Sequence, residues 1–125
     1  MSTVLTHEVT NQPPPLVDHD LWARNRPLRD ALAYLLPGHD SSRLAALGVE
    51  CGSAAMLEHA RLANARPPQL RSHDRFGHRI DQVEFHPSYH ALMGAALRQA
   101  LHGAPWAGGA GAHVERAAGF MLFTD

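Results

Sequence analysis

The sequence contains no lysine. All 11 of its basic side chains are arginine, set against 12 aspartates and glutamates, for a formal net charge of −1. The arginines are scattered along the chain and form no basic stripe of the kind that follows a nucleic-acid backbone, so DNA binding is not expected from this segment. Cysteine is nearly absent, and the single Cys51 excludes an internal disulfide framework. No apolar run approaches the roughly 20 residues that span a bilayer, and no membrane contact is expected. The N-terminus lacks a charged region followed by an apolar core, so a signal peptide is not expected either. A reducing, cytoplasmic location is the expectation. Also missing is any complete catalytic set. There is no nucleophile beside a base, no carboxylate pair with a reason for shifted pKa values, and no cofactor fingerprint.

What is present is enough for one compact domain. The chain has 125 residues, 45% hydrophobic and 18% charged, the balance of a soluble globular protein. Residues 1–20 carry no helical period. Their centre, Asn11-Gln12-Pro13-Pro14-Pro15-Leu16, holds the backbone in extended polyproline II geometry, because each proline fixes φ near −65° and removes an amide donor. Such a run suits a ligand for an aromatic groove, a linker or an ordered strap. It lacks the flanking basic residue that groove ligands often use, which favours the strap.

From Pro27 a helical period begins. Leu28, Ala31, Leu32, Leu35 and Leu36 share one face, and Pro37-Gly38 ends the helix. Asp40 or Ser41 caps the next helix, which carries Leu44 and Leu47. Ser53 caps a third through Met56, Leu57, Ala60 and Ala63, with Glu58 and Arg61 positioned as a solvated i,i+3 pair. Asp74-Arg75-Phe76-Gly77 reads as a type I turn, and Val83 and Phe85 alternate with Gln82 and Glu84, so residues 69–86 are expected to form a small β-hairpin. The strongest stripe follows: Tyr89, Leu92, Met93, Ala96, Leu97, Ala100 and Leu101 predict a helix from Pro87 to near Gly103. Gly103 to Gly111 reads as a flexible loop around Trp106. A last helix places Val114, Ala117, Ala118, Met121 and Leu122 on one face. That stripe is still running three residues before Asp125, with no capping glycine or proline, and the expectation is a chain cut within a helix.

Ten histidines raise the question of a metal. His86 and His90 are four residues apart, but Pro87 puts His86 at or before the first helical turn, and no third ligand has a matching spacing. Capping or packing roles are expected, and no metal. The glycines near Trp106 do not follow a strand and have no phosphate-binding lysine, so they are not read as a phosphate cradle. Cys51 has Glu50 beside it and nothing to lower its pKa, as for a small packed thiol.

The order of motifs carries more information than any one of them. "NQPPPL", then "EHARLANARPPQL", then "HDRFGHRIDQVEFHPSYHALM", then "ERAAGFML" together resemble the N-terminal region of the AidB-like, or DNA alkylation response, branch of the acyl-CoA dehydrogenases. The resemblance covers essentially the whole chain. It implies a mainly α fold: an extended proline-containing arm, residues 1–20, followed by a helical acyl-CoA dehydrogenase-type N-terminal domain with a small β-hairpin, residues 21–125, truncated at its C-terminus. By the same resemblance, the complete protein is an FAD-dependent dehydrogenase of acyl-CoA thioesters. Its flavin-binding strands, catalytic glutamate and DNA-binding region lie outside this segment, so no catalytic residue, FAD or acyl-CoA is assigned to this chain alone. The implied role is structural: a wall of the substrate cavity and contacts within a homo-oligomer or with the remainder of the flavoprotein. Asn11, Gln12, Pro13, Pro15 and Leu16 are the arm's candidate subunit-contact residues, and Phe85, His86, Tyr89 and His90 the candidate cavity positions. The alternative is a non-catalytic helical interaction module.

Overall fold

Helix formation begins where the arm ends. Asp20 is the N-cap of α1 (Leu21–Arg24), its Oδ1 accepting from the Ala23 amide at 2.8 Å. Asn25 closes α1 and caps α2 (Arg26–Leu35), accepting from the Leu28 amide at 3.1 Å, with Pro27 in the first turn. α3 (Ser42–Cys51) is started by Asp40 rather than Ser41: Asp40 Oδ1 accepts from the Ser42 amide at 3.0 Å, while Ser41 makes no side-chain cap. Ser53 caps α4 (Ala54–Ala65) through the Met56 amide at 3.2 Å. β1 (Gln69–His73) and β2 (Arg79–Glu84) pair antiparallel, with Gln69 opposite Glu84 and Leu70 opposite Val83. α5 (Pro87–Arg98), α6 (Ala104–Ala107) and α7 (Ala112–Thr124) complete the computed structural model, which describes residues 11–124.

Among the described residues the architecture is mainly α, seven helices and one small sheet, as the composition and periodicity predict. The core is a leucine-rich seam: Leu28 and Leu32 of α2, Leu44, Leu47 and Cys51 of α3, Ala118 and Leu122 of α7. Trp22, Leu36, Val114 and Phe123 close its margins. Burial of each leucine is worth about 1.5–3 kcal/mol, so this seam is the main source of stability. α1 lies across α3 because two glycines admit it. A Cβ on Gly48 would stand 2.5 Å from the Trp22 nitrogen, and one on Gly52 would overlap the His19 carbonyl oxygen. α4 and α5 form an antiparallel pair with the hairpin as their connection.

The turn residues behave as their chemistry requires. Gly77 has φ +87°, and Asp74 Oδ1 accepts from the amides of Phe76 at 2.8 Å and His78 at 2.9 Å. The Glu58–Arg61 pair forms through two bonds of 2.7 and 2.8 Å and is solvent-exposed.

Several elements depart from the expected pattern. α1 is an added turn, nucleated by its cap. β2 ends at Glu84, so Phe85 leaves the strand and turns towards α5. α5 ends at Arg98: Ala100 adopts φ +52°, and Arg43 Nη2 donates to the exposed Gln99 carbonyl at 2.8 Å. Leu101 therefore leaves the helical face and is buried in the position a Cβ on Gly119 would otherwise crowd. The glycine-rich stretch contains α6, with Trp106 exposed and edge-on to His113 at 5.1 Å. Of the predicted helical faces, Leu35, Met93, Leu97 and Met121 stay exposed.

Candidate functional site

The hairpin brings together two segments that are far apart in sequence. Because Gln69 pairs with Glu84, the end of α4 and the double proline lie beside Phe85-His86-Pro87 at the start of α5. Between them is a cavity of about 270 Å³ bordered by Arg66, Pro67, Gln69, Glu84, Phe85 and His86. Glu84 Oε2 is held by Arg71 Nε at 2.8 Å. Phe85 stacks on Tyr89 with centroids 4.3 Å apart, and His90 stands edge-on to Phe85 at 6.0 Å and to Tyr89 at 5.6 Å. Phe85, Tyr89 and His90 thus form one aromatic–imidazole group, while His86 makes its contacts elsewhere, to Ser88 and Arg66, and borders the cavity with Phe85.

His86 is the N-cap of α5, and its Nδ1 accepts from the Ser88 amide at 3.2 Å. Its Nε2 lies 3.4 Å from Arg66 Nη1. A neutral imidazole has one donor and one acceptor nitrogen, so it cannot accept at both. Ser88 is 3% exposed. Its amide belongs to the first helical turn, and leaving it unpaired would cost about 1–3 kcal/mol. Arg66 is exposed and finds water freely. The capping bond therefore wins: Nδ1 is the acceptor, and Nε2 carries the proton facing Arg66. The Ser88 hydroxyl is in turn 3.1 Å from His59 Nδ1 on α4, which ties the two helices together.

The His86 capping role leaves the His86–His90 pair without the shared face a metal needs, and among the described residues no group of three or more histidine, cysteine or carboxylate side chains is placed to hold a metal ion.

Asn11 to Leu16 of the arm are exposed, Leu16 at 69%. The arm is pinned just after them. Asp18 adopts φ +52° and its Oδ1 accepts from the Ala54 amide at 2.9 Å, while the His19 amide donates to the Gly52 carbonyl at 3.1 Å. No sequence signal marks Asp18 as a second cap for a helix 36 residues away. Arg66 stands in the "EHARLANARPPQL" stretch and Ser88 in "HDRFGHRIDQVEFHPSYHALM", but no local pattern marks either as a site residue.

A second cavity, about 140 Å³ and mostly apolar, lies between α3, α4, α5 and α7, bordered by Cys51, Met56, Leu57, Leu92, Leu122 and Phe123. Burial first, and the neighbouring Glu50 charge second, push the Cys51 thiol from its ordinary 9.0 up to about 11. It is a small packed thiol, as expected. A third cavity of about 220 Å³ adjoins the glycine-rich stretch. Two arginines at its border are committed to carbonyls, Arg43 to Gln99 and Arg116 to Leu101, each at 2.8 Å.

The described residues form a helical domain with side-chain caps on α1, α2, α4 and α5 and a two-stranded hairpin set between α4 and α5. The family model for the adaptive response protein AidB N-terminal domain matches residues 11–125, and the chain belongs to that family. It is 44% identical over 119 residues to AidB of Escherichia coli (strain K12), a protein whose name places it among the acyl-CoA dehydrogenases. That alignment takes in 94% of this chain and 22% of the relative, so the chain spans about a fifth of the relative's length. A solved structure described as Bd2924 apo-form shares the fold, with a TM-score of 0.77 and 22% identity over 92% of this chain and 24% of that one.

Proposed function

We propose that this chain is the N-terminal part of an AidB-like, FAD-dependent acyl-CoA dehydrogenase, in which it forms one wall of the acyl-CoA cavity and contributes to assembly. The arm, residues 1–20, acts as a contact strap, with Asn11, Gln12, Pro13, Pro15 and Leu16 at the subunit boundary. The helical domain, residues 21–125, presents Phe85, His86, Tyr89 and His90 towards the cavity. The reading is carried by the family match together with the 44% identity over nearly the whole chain. The exposed apolar faces of α2, α5 and α7, which include Leu35, Met93, Leu97 and Met121, support it, since a longer protein would cover them.

Among the described residues, the glycine-rich stretch does not fit a flavin. It follows a helix rather than a strand, and the nearby Arg43 and Arg116 guanidiniums already serve backbone carbonyls. No catalytic step is therefore assigned to it. In a longer protein the cytoplasm is the proposed location.

Absorbance near the flavin bands tests the reading. The purified 125-residue chain is expected to carry no flavin, and a protein extended to the relative's length to carry it and to be bleached by an acyl-CoA. A longer protein that neither binds FAD nor reacts with acyl-CoA would leave the interaction-module reading in its place.

A further inference from the structure

The cavity beside the hairpin contains two hydrogen-bond donors with no acceptor between them. His86 Nε2 carries the proton because Nδ1 is committed to the buried Ser88 amide, and Arg66 Nη1 approaches it at 3.4 Å. Two N–H groups at that distance repel unless an electron-rich atom accepts from both. Arg66 has no carboxylate partner among the described ion pairs, whereas Glu84, the one acidic side chain at the cavity border, is neutralised by Arg71 at 2.8 Å. The volume of about 270 Å³ leaves room for a small anion beside the Gln69 side chain. Arg66 comes from the "ARPPQ" stretch, to which the structural role proposed above assigns nothing, and that role leaves the donor nitrogen of His86, from "EFHP", without a partner.

We propose that Arg66 and His86 form an oxyanion site, taking a phosphate or carboxylate group whose oxygen accepts from both Arg66 Nη1 and His86 Nε2. Guanidinium binding of such a group is charge-assisted. The imidazole is held in the donor tautomer by its cap to α5, so the site is preorganised by a bond that also stabilises the helix. The site needs neither a flavin nor an acyl-CoA to be tested.

The test is a titration of the 125-residue chain with inorganic phosphate and, separately, acetate, at constant ionic strength set with chloride, followed by nitrogen–proton NMR. Saturable shifts centred on the Ser88 amide, the His86 ring and the Arg66 guanidinium are expected. Saturation by phosphate alone, by acetate alone or by both identifies the favoured oxyanion and supports the site in each case. His86→Asn keeps a capping acceptor for Ser88 and removes the ring donor. Arg66→Met keeps the exposed stem and removes the charge. Each is expected to weaken binding about tenfold, the worth of one hydrogen bond to a charged group, without loss of helical signal. Shifts that fail to saturate, or that spread over Arg71, Arg75 and Arg79 and persist in Arg66→Met, would mean an adventitious ion only and overturn the proposal.

Discussion

Gly52 and Gly109 make a controlled pair at the scale of single residues. A methyl group on Gly52 meets the His19 carbonyl, and relief requires the docked arm to move, so Gly52→Ala is expected to lose about 1–3 kcal/mol in urea denaturation. Gly109 has open space around its Cβ position, and Gly109→Ala should stay within about 0.5 kcal/mol of the parent. Leu122 is fully buried and borders the apolar cavity, so Leu122→Ala enlarges an existing void and should cost about 2–5 kcal/mol. Cys51 supplies a pH prediction. Its folded pKa of about 11 exceeds the ordinary 9.0, so above pH 9 the unfolded chain loses the proton first. The stabilisation is complete below that value and is lost as pH rises towards 11. Denaturation midpoints should fall over this window in the parent and less steeply in Cys51→Ala. Little of this residue-level detail was legible beforehand. A glycine's need for space depends on which segment crosses it, and Trp22 and His19 reach α3 from over 25 positions away.

At the scale of elements, caps and turns were the most readable features because they are local. Pro27, Ser53, Asp74 and Gly77 act as their side-chain chemistry dictates. Asp74 is held below the usual carboxylate range, first by the His78 amide and then by the amides and ring around the same turn. A depressed carboxylate stabilises above its unfolded pKa, and that contribution disappears as pH falls through the folded value. Hydrogen exchange at the Phe76 and His78 amides should therefore quicken at acid pH relative to the rest of the chain, and Asp74→Ala should show fast exchange at every pH. α5 ends at Arg98, short of the apolar period, for the opposite reason. The apolar period runs on through Leu101, but tertiary bonds override it: Arg43 takes the Gln99 carbonyl, and Ala100 turns out of the helix so that Leu101 reaches α7.

Across the whole molecule, the apolar faces were visible in the sequence, but not which parts would find a partner within this segment. Among the described residues the α2–α3–α7 seam forms the buried cluster, while Met93, Leu97 and Met121 remain in solvent. The chain is accordingly expected to self-associate with rising concentration in sedimentation velocity, and Leu97→Glu should reduce that tendency with circular dichroism unchanged. Removing residues 1–16 should alter association more than helical content, because among the described residues the bonds that pin the arm are those of Asp18 and His19.

The sequence by itself determined the family, the mainly helical class, the Ser53 cap and the hairpin turn, since each depends on neighbours within a few positions or on motif order. Only the tertiary structure decided which leucines are core, where α5 stops, how the arm docks through Gly48 and Gly52, and that Arg66 faces His86 across the hairpin's base. Those outcomes depend on contacts between residues far apart in the chain, and on competition between them: a buried amide at Ser88 outranks an exposed guanidinium, and that fixes the proton on His86.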